Sequence, residues 1–151
     1  MKEQAVNNAK HRPRYEHNPF VEGLHTTSEM YSAGFWPSPD GESPRFVKLY
    51  GHGAKALKDF TKAGTKVFEV LYLEVQKNIG QDRIYMSFGL VDQSLNAMSE
   101  ATYGRGMREL IAKDFIAPTA QIGWFWLNPD YLWNGDRLAF VKQYWKAPSH
   151  S

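Results

Sequence analysis

The clearest alternation of apolar and polar positions lies in residues 62–77, where large apolar side chains recur every three or four positions. The positions that share this spacing are Val67, Phe68, Leu71, Tyr72 and Val75. Such a period is typical of one face of a helix. We therefore predict a helix over residues 62–77, with Thr61 as its N-cap and Gly80 as the left-handed residue after its end. The broad apolar face places this helix at the centre of the core.

A second helix is predicted over residues 100–113. Ser99 is a good N-cap for it, and Glu100 places a carboxylate in its first turn. Weaker patterns predict the other elements: helices over residues 53–60, 90–95 and 137–145, a turn over residues 96–98, and strands over residues 83–88, 116–119 and 122–127. Asp136 is the expected N-cap of the last helix.

The segments outside these elements predict one folded domain with extensions. The beginning of the chain is polar and contains four Lys or Arg residues, which favours a mobile segment. The next segment is broken by Pro and Gly, and residues 30–36 are expected to pair loosely with residues 46–50 in a β-hairpin. The predicted organisation is a flexible basic leader (1–20), an irregular or β-hairpin extension (21–52), a folded domain (53–146) and a tail (147–151).

The order of the predicted elements is that of a winged helix-turn-helix. A long helix and a short strand precede two helices separated by a three-residue turn, and two strands follow. In such a domain the helix over residues 100–113 would enter the major groove of DNA, and the strands over 116–119 and 122–127 would form the wing. The expected fold class is α+β and mainly helical, a winged helix-turn-helix with an N-terminal extension and a C-terminal helix.

The stretch from Thr61 to Trp145 resembles plasmid replication proteins of the RepL type, a winged-helix DNA-binding family. The segments that carry the resemblance are FEVLY (68–72), DRIYMSF (82–88), MSEATYGRGMREL (98–110), FI (115–116), LNP (127–129) and NGDRL (134–138). Residues 1–50 show no obvious match. The resemblance implies sequence-specific binding of double-stranded DNA in the initiation of plasmid replication or in its control.

Arg105 and Arg108 are the main candidates for DNA contact, because Arg can bind guanine or phosphate with two hydrogen bonds. Arg105 is closer to the start of the helix, so we assign it to base recognition and Arg108 to phosphate. The alternative is a solvated helix face on which Arg105 pairs with Glu109. Gly104 and Gly106 each cost helix stability. Close approach to DNA or to a partner helix would explain them, and so would a shorter helix.

Other candidates lie around this helix. Ser99, Glu100 and Thr102 stand at its N-terminus, where they can contact phosphate or base edges or simply cap the helix. Lys62 and Lys66 continue a run of lysines from Lys55 and Lys58 that would follow a phosphate backbone if the helix were continuous. The remaining predicted DNA contact is Gln121, beside the tip of the wing.

The aromatic residues cluster late in the chain, where Trp124 and Trp126 alternate with Phe125 on a predicted strand. The predicted dimer interface consists of Trp124, Trp126, Tyr144 and Trp145. Burial in the core is the simplest alternative. A stacking surface for single-stranded DNA is another, but no basic residue interrupts the cluster in the sequence.

Composition narrows the function further. Lys and Arg number 18 against 16 Asp and Glu, so the net charge of +2 excludes a polybasic protein. Cysteine is absent, which excludes disulfide scaffolds, thiolate zinc sites and cysteine nucleophiles. The five histidines lack metal-ligand spacing, and no phosphate-binding loop is present. We therefore expect no enzyme activity, no metal and no cofactor.

The expected function is DNA binding in plasmid replication initiation or its control. Alternatives are a transcriptional regulator of a plasmid or phage operon, and a winged-helix module that binds a protein. The expected partners are double-stranded DNA, a second copy of the chain in a homodimer, and replication or conjugation proteins. A chain without a signal peptide or a long apolar run is expected in the cytoplasm, with no membrane contact.

Overall fold

The computed structural model describes residues 13–21 and 47–146, except for the side chains of Trp145 and Lys146. Within these ranges the chain is an α+β protein with four helices and two small antiparallel sheets. The helices are α1 (Gly51–Leu57), α2 (Lys62–Lys77), α3 (Glu100–Ala112) and α4 (Arg137–Lys146). The strands are β1 (Val47–Leu49), β2 (Arg83–Tyr85), β3 (Ile116–Pro118), β4 (Trp124–Leu127) and β5 (Leu132–Asn134).

The central helix α2 has the predicted bounds. The Thr61 hydroxyl accepts a hydrogen bond from the Gly64 backbone N–H at 3.1 Å, which caps the helix as the sequence predicts. Gly80 follows its C-terminus with a φ of 72°, the left-handed conformation expected there. The buried apolar residues of α2 are Val67, Phe68, Val70, Leu71 and Val75. This helix therefore lies at the centre of the core.

Helix α3 packs closely against α2, and Gly106 makes the close approach possible. A Cβ atom on Gly106 would lie 2.5 Å from the Ala63 carbonyl oxygen and would also overlap the Val67 side chain. The buried residues of α3 are Tyr103, Gly106, Met107 and Leu110. Helix packing inside the protein therefore explains Gly106, and the helix is not shortened around it.

The larger sheet has the strand order β2-β4-β3, with both pairs antiparallel. Its inner face contributes Ile84 and Leu127 to the core, where neither is exposed. Successive side chains of a strand point to opposite faces, so Trp124 and Trp126 lie on the outer face. The smaller sheet pairs β1 with β5. The sequence patterns did not predict β5, which contains the fully buried Trp133.

The predicted helix over residues 90–95 is wrong. A single 3₁₀ turn at Phe88–Leu90 takes its place, and turns lead from it to α3. The Asp92 carboxylate accepts hydrogen bonds from the Ser94 N–H at 3.0 Å and from the Ser94 hydroxyl at 2.6 Å. Such local side-chain bonds compete with helical ones and favour a turn.

The structure differs from the predicted flexible leader at residues 13–21, which we call the N-terminal segment. The backbone N–H of Tyr15 donates to the Pro118 carbonyl at 2.9 Å, along the edge of β3. The side chain of Asn18 is buried and donates to the Leu127 carbonyl and to the Asp82 carboxylate. These contacts fix residues whose polar composition had favoured mobility.

The other predictions outside the core have mixed outcomes. Strand β1 pairs with β5. Its predicted partner, the segment 30–36, lies outside the described residues, as do residues 1–12 and 147–151. The predicted helix over 53–60 is α1, which begins and ends earlier than expected. The Asp136 carboxylate accepts from the Ala139 N–H at 3.0 Å, so it caps α4 as predicted.

Candidate nucleic-acid interface

The exposed side of α3 carries both predicted arginines. Arg105 and Arg108 are exposed, as are Ala101 and Ala112 on either side of them. The spacing of these four positions keeps them on one face of the helix, opposite the buried residues. A Cβ on Gly104 would have the Arg108 guanidinium at 3.6 Å as its nearest neighbour, so no packing inside the protein requires this glycine. The outer face of α3 therefore presents two cations among small residues.

The start of α2 brings a third cation to the same place. Lys62, Arg105 and Arg108 line one shallow groove of about 500 Å³ between the two helices, which we call the basic groove. Its other lining residues are Thr61, Ala63 and Glu109. Three cations against one carboxylate make this groove positively charged.

The single carboxylate of the basic groove, that of Glu109, is hydrogen-bonded to Thr61. Glu109 accepts from the Thr61 hydroxyl at 2.6 Å and from the Thr61 backbone N–H at 3.1 Å. Arg105 instead donates to the Thr102 hydroxyl at 3.2 Å. Within the described ranges no ion pair joins a carboxylate to either arginine. The Arg105–Glu109 pair that the sequence offered as an alternative does not form, and the bonds of Glu109 join α3 to the start of α2.

Two of the predicted residues at the start of α3, Ser99 and Thr102, make hydrogen bonds within the protein. Ser99 accepts from the Thr102 N–H at 3.1 Å, so it caps the helix as predicted. The Ser99 and Thr102 hydroxyls are 3.1 Å apart, and the Thr102 hydroxyl also binds Arg105. Glu100 is exposed in the first turn. Ser99 and Thr102 therefore order the first turn of α3, and Thr102 holds the side chain of Arg105.

Two other predicted contacts lie outside the basic groove. The Lys66 ammonium donates to the Ala97 carbonyl at 2.7 Å and so fixes the loop before α3. Gln121 is exposed in the turn between β3 and β4. The lysine run is also interrupted, because α1 ends at Leu57 and α2 begins at Lys62, so Lys55 is on a different helix. Of the predicted lysines only Lys62 lines the groove.

The predicted dimer-interface residues belong to two different elements, β4 and α4. Trp124 and Trp126 are partly exposed on the outer face of the sheet, and Tyr144 is partly exposed on α4. The side chain of Trp145 lies outside what the structure describes. The sequence reasoning missed Arg83, whose guanidinium lies 5.6 and 5.9 Å from the two indole centroids. Only the strand register, which pairs Arg83 with Trp126, brings it there.

The remaining titratable groups show two notable environments. Burial raises the pKa of Asp82 above its ordinary 3.8, against a smaller opposing effect of the hydrogen bond from Asn18. His52 lies 2.8 Å from the Asp130 carboxylate, which also contacts the buried Arg137.

In the described residues no group of three His, Asp or Glu side chains is placed to hold a metal ion. None of the helices described is long and apolar enough to span a membrane.

Comparison with known proteins identifies a relative that aligns with most of the chain. A protein of Zymomonas mobilis described as "20.9 kDa protein" is 30% identical to this chain in an alignment of 158 positions that covers 85% of this chain and 86% of the relative. No family model matches the chain, and no solved structure matches it. At this identity and coverage, the chain belongs to the family of the Zymomonas 20.9 kDa protein.

Proposed function

We propose that this protein binds double-stranded DNA in a sequence-specific manner, with α3 as the helix that enters the major groove. The observation that carries the proposal is the basic groove, where Lys62, Arg105 and Arg108 lie together. An exposed helix with Arg side chains on its outer face suits the width and the hydrogen-bonding pattern of the major groove.

The topology supports this proposal. Helix α2, strand β2, a turn region, helix α3 and strands β3 and β4 follow one another, and the sheet has the order β2-β4-β3. This is the order expected of a winged helix, in which the β3–β4 hairpin is the wing. The helix before the recognition helix is reduced here to the 3₁₀ turn Phe88–Leu90 and the turns that follow it. We therefore propose a winged-helix variant with a shortened second helix.

Each cation of the basic groove has a distinct role in the proposal. Arg105 is held by Thr102 near the start of α3, which pre-orients its guanidinium for bidentate contact with guanine. Arg108 is one turn further along, and Lys62 approaches from α2, so both bind phosphates beside the recognised bases. Gly104 directly precedes Arg105, with the Arg108 guanidinium beside it, and lets the DNA backbone come close to α3.

The biological role follows from the resemblance to RepL-type proteins. We propose that the bound DNA is a plasmid replication origin, or an operator that controls replication. A regulator of a plasmid or phage operon would use the same binding chemistry. In this proposal the protein binds DNA as a homodimer on a two-fold symmetric site, recruits replication or conjugation proteins, and performs no chemistry itself.

Selection from a random duplex pool, followed by sequencing of the retained DNA, tests the proposal. We expect an enriched motif, with two-fold symmetry if a dimer binds. Arg105→Ala is expected to relax preference at one position and to cost about 1–3 kcal/mol on the selected site. Arg108→Ala and Lys62→Ala should weaken all duplexes alike, and each should lower the salt slope by about 1.

Lys58→Ala is the matched control, because Lys58 is an exposed cation outside the basic groove. It should leave the affinity for the selected duplex unchanged. Equal loss from all four substitutions, or no enriched motif, would contradict sequence-specific binding through α3.

A second candidate function is binding of a protein partner, and an apolar groove of about 760 Å³ along α2 favours it. This groove includes the exposed side chains of Leu73 and Leu95. The affinity for a protein partner held there would depend little on salt concentration, whereas the affinity for DNA held through several phosphates falls steeply as salt is added. Salt-independent capture of a protein, together with no retention of duplex, would favour this second function.

A further inference from the structure

The outer face of the larger sheet places one cation among three aromatic rings. We call the set of Arg83, Tyr85, Trp124 and Trp126 the aromatic face. The register pairs Arg83 with Trp126 and Tyr85 with Trp124. The Tyr85 and Trp124 ring centroids are 5.4 Å apart, and the Arg83 guanidinium lies over both indoles. Arg83 is exposed, Tyr85 is 43% exposed, and both indoles are partly exposed.

We propose that the aromatic face binds single-stranded DNA by stacking unpaired bases on Trp124, Trp126 and Tyr85, while Arg83 contacts a phosphate. This site is separate from the basic groove and takes a different form of DNA. The choice of DNA over RNA rests on the proposed function, because stacking itself does not distinguish the two.

Charge complementarity on this face favours a nucleic acid over a second protein surface. Arg83 is its only charged member, so the face offers a cation to the phosphates and rings to the bases. Aromatic rings beside a guanidinium are the usual elements of single-strand recognition, since every base has a flat face that stacks. No basic residue interrupts the aromatic cluster in the sequence, but the pairing of β2 with β4 places Arg83 beside it.

The surrounding structure holds the face in a defined shape. The Trp126 indole N–H donates to the Tyr15 carbonyl at 2.8 Å, which fixes one edge of the ring. Ala117 stands opposite Trp126 in the register and is only 6% exposed, although it lies on the outer side of β3. At the other end, the Tyr85 ring lies against Gly123, where a Cβ would lie 2.7 Å from it. Rings held in this way lose little freedom when a base stacks on them.

The test uses the full chain and a fluorescein-labelled oligothymidine of about twelve nucleotides, a length that fits a single-strand site. Fluorescence anisotropy reports binding. Trp124→Ala and Trp126→Ala are each expected to weaken binding about 5- to 100-fold, whereas Trp124→Phe should retain most of it. Arg83→Gln should weaken binding and remove about 0.7 from the salt slope. Circular dichroism checks that each variant is folded.

Two controls separate this site from the basic groove. Leu138→Ala removes an exposed apolar side chain on α4 and should leave oligothymidine binding unchanged. Arg105→Ala should weaken duplex binding and leave oligothymidine binding unchanged. Loss of oligothymidine binding with duplex binding intact in Trp124→Ala would support the proposal. Failure of duplex binding in the unmodified protein would contradict only the proposed function.

Several outcomes would overturn the proposal. These are no binding of oligothymidine at micromolar protein, equal affinity in the Trp124→Ala and unmodified chains, and tighter binding of oligouridine than of oligothymidine. A fourth is the conversion of a dimer to a monomer by Trp126→Ala, measured by light scattering, with no change in oligothymidine affinity. That result would assign the aromatic face to contact between two copies of the chain.

Discussion

Gly104 and Gly106 are two residues apart on α3, but their surroundings differ. Gly106 faces α2, and a side chain there would meet Val67 and the Ala63 carbonyl. Gly104 faces outward and has only the Arg108 guanidinium near it. Because both glycines have the same helical backbone, the difference between them isolates the effect of packing from the intrinsic effect of glycine on helix stability.

Alanine at these two positions should therefore change stability in opposite directions. Gly106→Ala is expected to destabilise the protein by about 1–3 kcal/mol, because the backbones must separate. Gly104→Ala should stabilise it by up to about 1 kcal/mol, because alanine is the better helix former. Urea unfolding of both variants measures the two changes. Equal stabilisation by both substitutions would show that α2 and α3 do not need close contact at Gly106.

At the scale of elements, the join between α2 and α3 depends on one residue that precedes α2. The Thr61 hydroxyl accepts from the Gly64 N–H and donates to Glu109, so it caps one helix and binds the other. Lys62 follows it directly in the basic groove. The position of this cation relative to Arg105 and Arg108 therefore depends on Thr61.

Thr61→Ala should cost about 1–2 kcal/mol of stability, since it removes the N-cap and one partner of Glu109. Thr61→Ser keeps the hydroxyl and should cost much less. Thermal unfolding compares the two variants with the unmodified chain. If the alanine and serine variants were equally stable, the hydroxyl would have no role at this join.

Elements defined by local signals could be predicted from the sequence, whereas those defined by distant partners could not. The caps Thr61, Ser99 and Asp136 are encoded within three residues of the helices they begin, and the structure confirms each. Strand β5 has three residues and is defined by its pairing with β1, far back in the chain. The helix predicted over 90–95 failed because Asp92 and Ser94 bind each other, an alternative that apolar spacing does not reveal.

The candidate site divides in the same way. Arg105 and Arg108 belong to one helix, so their shared exposed face could be predicted from spacing alone. The contribution of Lys62 depends on how α2 crosses α3, and that of Arg83 on the register of β2 with β4. Both require tertiary structure. Lys66, a predicted DNA contact, binds a backbone carbonyl inside the protein, which spacing could not show.

At the scale of the whole molecule, the N-terminal segment is attached to the larger sheet through a partly buried carboxylate. Asp82 accepts from Asn18 at 3.0 Å, and burial raises its pKa above 3.8. The folded protein therefore holds this proton more tightly than the unfolded chain does. By linkage, the contribution of Asp82 to stability is greatest at low pH and is lost as the pH rises through its folded-state pKa.

Asp82→Asn should remove this loss of stability with rising pH, because the amide oxygen still accepts a hydrogen bond from Asn18 and the amide never ionises. The stability of the variant relative to the unmodified chain should rise as the pH increases from about 4, the ordinary pKa of an Asp carboxyl, through the raised folded-state pKa. Thermal unfolding across that range measures the difference. Asp92→Asn is the control, because the Ser94 hydrogen bonds lower the pKa of Asp92, so that its linked change in stability lies at more acidic pH and the difference should stay constant across this range. A difference that stays constant with pH for Asp82→Asn would contradict the shift.

The attachment of the N-terminal segment also constrains the order in which the chain can fold. Asn18 binds the carbonyl of Leu127, 109 positions later, and Tyr15 binds Trp126 across 111 positions. During synthesis neither partner exists until β4 has been made, and long-range contacts of this kind form slowly. Until then β3 has an open edge that invites pairing with another chain. A nascent chain that stalls before residue 127 would thus be exposed to aggregation along that edge.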